Sequence, residues 1–409
     1  MRFSNLIFPL VTSLVHCLEY DKNPYIVVFG DGFSDIGNTD SSVSYTPTWF
    51  GRFSNGPVWN EYFSHDNNYT LISYAYGGST LNSTFTSSLS GLSFNIPSFF
   101  DQFGMYNKTF SQLYNQNLVD NDIAVISFGS NEILAAIGEI SNGSIDTDSF
   151  SDNIANNMKE AIKRLNNFGY KKIFITNILD IVSTPNFSSL PESYNKSVNE
   201  LVVMINKKLD DLVSLNLIEV STKKLDYVRI IDLYKFFSIV AKPEIAKKLN
   251  FTVIDQPCVT LNGDSTLNST CKNQDDYVFY SKSHPTTRIH NLLSTLFAQF
   301  INSPNFNITD ASILQLANSR NFAISGSSKS NYLFNNNTDE TGMINILEYT
   351  VDKSTEYSPN IISNKKAIKS NENNGQSKSS SSLPISKNFN SAIFIIISII
   401  ALLQAFNLY

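Results

Sequence analysis

Glycine, serine, asparagine and histidine cluster in five short segments of this 409-residue chain, at residues 29–38, 51–59, 74–80, 129–132 and 284–290. Hydroxyl and imidazole side chains supply nucleophiles and general bases, so these segments could carry nucleophilic or proton-transfer chemistry. They contain neither a phosphate-binding glycine loop nor a dinucleotide fingerprint. The four histidines are scattered along the chain, so no metal-ligand cluster is predicted. We therefore expect no metal and no cofactor.

Predicted strands and helices alternate around these segments. Apolar, β-branched runs at 25–29, 123–128, 172–176 and 228–232 predict four buried strands. Apolar residues every three or four positions predict helices around 154–168, 201–212 and 289–300, with Gly169 as a C-cap and Pro285 at the first position of the last helix. This alternation predicts an α/β fold with a parallel sheet covered on both faces. Ligands of such sheets bind at the carboxyl ends of the strands, where several of the five segments begin.

In their order and spacing, the five segments resemble those of the GDSL (SGNH) esterase/lipase family, here of a secreted, fungal type. The resemblance covers about residues 25–301 and implies a flavodoxin-like, three-layer α/β/α hydrolase of carboxylic esters. In that family a serine attacks the acyl carbon, a histidine accepts its proton, and an aspartate three residues earlier orients the histidine. The resemblance assigns His284 as the base, and Gly78 and Asn131 as the oxyanion-binding residues.

Two catalytic positions depart from the family pattern. Gly32 stands at the nucleophile position and Ser281 at the position of the orienting acid. Losing the nucleophile costs about 10⁶ in turnover in a serine protease, and neutralising the acid costs about 10⁴. Ser34, expected at the start of the next helix, should point away and so cannot simply replace the missing serine. His284 is then either a retained base or only a structural residue at a helix start.

Three functional hypotheses remain open from the sequence. The first is a degenerate family member that binds an acylated glycan or lipid or has a structural role. The second is an active ester hydrolase in which His284 activates water directly. The third is a surface adhesin or scaffold that uses the polar, glycosylated surface rather than a pocket.

Both ends of the chain read as processing signals. Arg2 followed by an apolar run predicts a signal peptide at 1–17, with a first core strand as the alternative. The uncharged segment 392–409 follows a Ser/Asn-rich linker at 352–391 and predicts a GPI-attachment signal, with a transmembrane anchor as the alternative. Between the family-like domain (25–301) and the linker, residues 302–351 form an extension without an assigned role.

Composition fits a secreted, membrane-tethered protein. Thirty basic against 36 acidic residues give a net charge of −6, which argues against nucleic acid as a partner. Cys258 and Cys271 remain after loss of the leader and predict a disulfide. Ten Asn-x-Ser/Thr sequons permit glycosylation: Asn68, Asn82, Asn107, Asn142, Asn186, Asn195, Asn250, Asn268, Asn307 and Asn336. We expect a monomer at the cell surface or wall.

Overall fold

The computed structural model describes residues 24–39, 49, 51–91, 95–111, 119–188, 190–215, 218, 225–262, 267–319 and 333. Its central sheet consists of β1 (Tyr25–Gly30), β2 (Thr70–Ser73), β3 (Ile123–Ser127), β4 (Lys172–Thr176) and β5 (Tyr227–Ile231). All pairs are parallel and the spatial order is β2–β1–β3–β4–β5. This is the flavodoxin-like order of doubly wound sheets.

Two helical layers cover the sheet. Phe29 of β1 lies opposite Ile126, which lies opposite Ile175, so all three side chains point to one face and Phe174 points to the other. Phe29 packs against Phe99, with ring centroids 5.4 Å apart. The predicted three-layer α/β/α fold is therefore confirmed. The helices are α1 (Trp59–Asp66), α2 (Ser83–Ser90), α3 (Phe99–Phe110), α4 (Ser130–Ala135), α5 (Ile137–Ser141), α6 (Thr147–Phe168), α7 (Glu192–Ser214), α8 (Leu233–Val240), α9 (Pro243–Lys248), α10 (Thr287–Asn302) and α11 (Asp310–Ser319).

The layer that faces Phe174 is built on α1 and α10, which pack against each other. Phe297 of α10 contacts both Phe174 and Phe63 of α1, at centroid distances of 4.8 and 4.5 Å. On the other face α3 packs against α6, and α6 packs against α7. Such aromatic contacts add about 0.5–1.5 kcal/mol each beyond the burial of apolar area. They fix α10, and with it the loop that precedes it, against the sheet.

Small strands lie beside the sheet, between α9 and α10. They are β6 (Val253–Pro257), β7 (Val259–Leu261), β8 (Leu267–Thr270) and β9 (Tyr277–Phe279), paired as β6–β9 and β7–β8. The predicted disulfide between Cys258 and Cys271 is present and closes this region. Helix α11 packs on α8, α9 and α10, so the extension begins as part of the same core.

Two sequence predictions about helix starts are wrong. Pro285 does not occupy the first position of α10, because Thr286 precedes that helix in an extended conformation and donates its N–H to Val278. Ser34 does not begin a helix, since it lies in a turn where the Asp31 carboxylate accepts the Phe33 N–H. The short strand β2 was not predicted. The leader, the linker and the tail lie outside the described residues, within which no helix is long and apolar enough to cross a bilayer.

Candidate active site

The turn after β1 presents the backbone of Gly32 at the carboxyl edge of the sheet. The Asp31 carbonyl accepts the Ser34 N–H at 3.0 Å, and the Asp31 carboxylate accepts the Phe33 N–H at 3.0 Å. These bonds close the turn around Gly32, whose own N–H has no acceptor among the described residues. Gly32 is thus a buried glycine whose backbone N–H is left as a potential donor, at the position that the family resemblance assigns to the nucleophile.

His284 lies in the loop between β9 and α10, where Ser281 holds it on two sides. The Ser281 hydroxyl is 3.1 Å from His284 Nδ1 and also accepts the His284 backbone N–H at 3.2 Å. The Ser281 N–H donates to the His284 carbonyl at 3.1 Å, which closes a compact turn. The imidazole stacks on Phe53 at a centroid distance of 5.0 Å. Ser281, at the position that the resemblance assigns to the orienting acid, therefore holds the ring through hydrogen bonds.

The charge state of His284 follows from these surroundings. Burial lowers the pKa of His284 to about 4, and no carboxylate of the described residues pairs with it. The imidazole is consequently neutral at physiological pH. Its Nε2 atom has no hydrogen-bond partner in the described part of the chain. A neutral imidazole with a free Nε2 can accept a proton from water or from a hydroxyl group.

Gly32 and His284 are in direct contact although they are far apart in sequence. A Cβ atom added to Gly32 would lie 2.8 Å from His284 Nε2, 3.3 Å from Phe53 Cδ2 and 3.5 Å from Gly77 Cα. The imidazole edge therefore fills the space that a serine side chain would need. The structure thus brings together Gly32 and His284, the residues that the resemblance assigns to the nucleophile and base positions.

Donors for an oxyanion lie beside Gly32. The Gly78 N–H has no acceptor among the described residues, and Gly78 has a φ of +78°, which favours glycine. The Asn131 side chain donates through Nδ2 to the Ser79 carbonyl at 2.7 Å, which places its amide next to Gly78. The second Nδ2 hydrogen is not used in that bond. Gly32, Gly78 and Asn131 thus offer the donor types of an oxyanion hole.

Two serines close to Gly32 and Gly78 in the sequence, Ser34 and Ser79, have their hydroxyl groups engaged elsewhere. The Ser34 hydroxyl is fully buried and accepts the Trp59 indole N–H at 3.0 Å, so it points toward α1. The Ser79 hydroxyl donates to the Pro97 carbonyl and accepts from Gln102 at 2.7 Å. Both hydroxyls therefore serve the core.

Buried ionisable groups lie beneath the site and were not predicted from the sequence. Burial raises the pKa of Asp31 and of Glu132 to about 7, and one Glu132 oxygen accepts the Leu81 N–H while the other has no partner among the described residues. His290 is fully buried and its ring lies against that of Phe33, with centroids 4.9 Å apart and the ring planes tilted by 49°. Neither of its ring nitrogens has a hydrogen-bond partner in the described part of the chain. Burial lowers the pKa of His290 to about 3. The spacing of apolar residues along the sequence does not reveal such groups, because a buried polar residue has the same sequence pattern as an exposed one.

The segment that carries Phe53 also holds the start of α10. Asn55 accepts the Thr287 N–H at 2.8 Å, and the Ser54 hydroxyl donates to the Pro285 carbonyl at 3.2 Å. This segment therefore fixes the backbone on the C-terminal side of His284. A separate groove of about 400 Å³ lies between α7, α8 and the end of α10, and none of the site residues lines it.

Comparison with known proteins identifies the family of this chain. The profile of the GDSL-like Lipase/Acylhydrolase family matches residues 26–297. The thermolabile hemolysin of Vibrio parahaemolyticus is 23% identical over 290 residues, which are 67% of this chain and 62% of the hemolysin. The chain thus spans less than two thirds of that relative. The GDSL esterase/lipase EXL2 of Arabidopsis thaliana is 22% identical over 347 residues, with 70% of this chain and 90% of the relative covered.

Among solved structures, an acetyl xylan esterase named AlAXEase aligns with a TM-score of 0.34 and 13% identity, covering 68% of this chain and 99% of the esterase. The family profile spans the central sheet from the second residue of β1 onward and the first 11 of the 16 residues of α10, and it includes the Gly32, Gly78, Asn131 and His284 positions. The protein therefore belongs to the GDSL-like lipase/acylhydrolase family.

Proposed function

We propose that this protein is a degenerate GDSL-family member that binds an acylated glycan or lipid and has lost the serine mechanism of ester hydrolysis. The observation that carries the proposal is the contact between Gly32 and His284, in which Nε2 lies 2.8 Å from the place of the missing Cβ. Without a hydroxyl at that position no acyl-enzyme can form through the family's chemistry.

The retained donors support ligand binding. An ester or amide carbonyl that enters the site can accept hydrogen bonds from the free N–H groups of Gly32 and Gly78 and from Asn131. Since those donors are held by backbone geometry, they stay in place without the nucleophile. The site therefore keeps the means to recognise an acyl carbonyl.

The substitution of the orienting acid supports loss of turnover. Ser281 hydrogen-bonds His284 but carries no charge, so it does not stabilise the imidazolium that forms when His284 takes a proton. The lowered pKa of His284 also supports loss of turnover, because burial disfavours the imidazolium that must form when the ring accepts a proton.

One observation favours a second candidate function, direct hydrolysis by water. His284 is neutral and its free Nε2 faces Gly32, so a water molecule that a small shift of the ring admits beside Gly32 could lose a proton to Nε2 as it attacks a bound ester. Residual catalysis from the oxyanion donors alone is about 10³ over water, which sets the scale of such an activity.

A turnover and binding experiment separates the two candidates. Purified protein is assayed with p-nitrophenyl acetate beside His284→Ala and Ser281→Ala, and binding is followed by ligand-observed NMR with acetylated xylo-oligosaccharide and its deacetylated counterpart. The proposal expects acetyl-dependent binding and hydrolysis no faster in the wild type than in His284→Ala. Turnover that His284→Ala abolishes overturns it in favour of water-based hydrolysis. Loss of turnover in Ser281→Ala alone points to Ser281 as an unexpected nucleophile.

We also propose that the chain enters the secretory pathway and is tethered to the cell surface by its C-terminal tail. The sequence features that support this are the leader-like residues 1–17 and the uncharged segment 392–409. Release of the protein from intact cells by phosphatidylinositol-specific phospholipase C tests the GPI form. Retention after that treatment, with extraction by detergent only, would favour a membrane span.

A further inference from the structure

Nine of the ten sequons lie within the described residues, and they divide into two groups according to what the asparagine nitrogen does. From this division we infer that the secreted protein carries N-linked glycans at six outward-facing asparagines and none at three inward-facing ones; the inference rests on the proposed secretory entry. Asn336 lies outside the described residues and belongs to neither group.

The inward-facing asparagines use Nδ2 to hold the fold, and all three are only partly exposed. Asn82 caps α2 by accepting the Phe85 N–H and donates through Nδ2 to Asn157 at 2.9 Å. Asn195 donates through Nδ2 to the Phe187 carbonyl at 3.0 Å, and its Oδ1 is buried. A sugar on either nitrogen would have to occupy space that the protein itself fills.

Asn186 connects its sequon directly to the candidate active site. Its backbone N–H donates to the Lys282 carbonyl at 3.1 Å, and its Nδ2 donates to the Ser283 hydroxyl. These two bonds fix the loop in which Ser281 and His284 lie. A glycan on Asn186 would separate the two segments and displace the imidazole from Gly32.

The outward-facing asparagines are exposed, and Nδ2 makes no hydrogen bond to the described residues in any of them. Two of them use only the amide oxygen, which leaves the nitrogen available: Asn142 accepts the Ser144 N–H, and Asn307 accepts from Lys235. The six are Asn68, Asn107, Asn142, Asn250, Asn268 and Asn307.

The modification itself needs only this nitrogen and a donor of the secretory pathway. Asparagine Nδ2 forms a bond to C1 of a lipid-diphosphate-linked oligosaccharide, the C1–O bond to the diphosphate breaks, and one amide proton leaves with it. Because transfer precedes complete folding, all ten sequons are presented to the enzyme. Chains modified at an inward-facing asparagine cannot form the bonds above, and they do not reach the secreted, folded fraction.

A glycan map tests the inference. The full chain is expressed in a glycosylating host behind an established secretion leader, so that the result does not depend on the chain's own leader. The folded protein is digested with peptide-N-glycosidase in ¹⁸O water, and each sequon is scored by mass spectrometry. We expect ¹⁸O-labelled aspartate at the six outward-facing positions and unmodified asparagine at Asn82, Asn186 and Asn195. A glycan on any of these three, or none on the six, overturns the inference.

Matched variants remove one sequon of each group without changing an asparagine. Thr109→Ala removes the sequon of Asn107. Ser188→Ala removes the sequon of Asn186 and leaves the Asn186 amide in place. The Ser188 side chain is exposed, and among the described residues its hydroxyl donates to the Pro185 carbonyl. Thr109→Ala should lose the mass of one glycan on a denaturing gel, and Ser188→Ala should migrate as the wild type. A shift in Ser188→Ala contradicts the inference. None of these readouts depends on ester binding, so failure of the proposed function leaves them interpretable.

Discussion

Gly32→Ser restores the missing hydroxyl, and the structure shows what the change must displace. The new Cβ would lie 2.8 Å from His284 Nε2, which is at least about 0.6 Å inside the 3.4–4 Å range of ordinary van der Waals contact. The imidazole is a side-chain end held by Ser281 and by stacking on Phe53, so it can withdraw by that amount. After this shift the serine Oγ can reach Nε2 within hydrogen-bond distance, about 2.6–3.2 Å.

The expected rates follow from the known costs of losing each group. If the nucleophile is worth about 10⁶ and the acid about 10⁴, Gly32→Ser alone should raise turnover about 10²-fold over the wild type. Gly32→Ser/Ser281→Asp should raise it by up to about 10⁴-fold more, because a carboxylate then stabilises the imidazolium. These rate increases are upper values, because the cited costs come from a protease whose catalytic groups are already precisely positioned.

The assay is p-nitrophenyl acetate hydrolysis, with mass spectrometry of the trapped acyl-enzyme. Adding His284→Ala to the double revertant is the control, and it should return the rate to that of the wild type. If the folded double revertant neither hydrolyses the ester nor acquires an acetyl group, the donors and His284 do not form an ester site. If the wild type hydrolyses the ester as fast as the double revertant, the proposal that the serine mechanism has been lost is wrong.

Three further predictions concern stability. His290→Leu should stabilise the fold by about 1–3 kcal/mol, since it removes two buried ring nitrogens that have no partners among the described residues. The folded pKa of His290, about 3, lies below its unfolded value, so the wild type loses stability as the pH falls below about 6.5. Urea titrations should therefore show a stability advantage of the variant that widens toward pH 4.5. Glu132→Gln has the opposite pH dependence, because a folded pKa of about 7 makes the wild type lose stability as the pH rises from about 4.5 through 7. The stability advantage of the variant in urea titrations should therefore grow over this range. An advantage that stays constant would show that burial does not raise the pKa of Glu132. Cys258→Ser/Cys271→Ser should lower the free energy of unfolding by about 3 kcal/mol for a loop of this length, measured against the wild type with and without reductant.

Much of the fold could be predicted because its signals are local. The run at 172–176 matches β4, the runs at 25–29 and 123–128 differ from β1 and β3 by one residue at the end, and the run at 228–232 is shifted by one residue from β5. Strands buried on both faces read as continuous apolar runs, which makes them visible in sequence. β2 is only four residues long, so it gives a weak signal. The prediction for Pro285 was wrong because this residue forms an antiparallel bridge with Phe279 of β9 instead of starting the helix. A local sequence pattern cannot show a contact between two separate segments.

The residue types at the candidate site were fixed by the sequence alone: Gly32 has no side chain and Ser281 has no charge, whatever the fold. The family frame, the parallel sheet and the disulfide pair were also determined at that level. Only the tertiary structure decided that the His284 ring lies against Gly32, that Phe53 stacks on that ring, and that Ser34 turns toward α1. These facts depend on contacts between segments far apart in the chain, and on which acceptor each donor finds. A hydrogen-bond partner is chosen by packing in three dimensions, so the sequence can name the donors but not where they point.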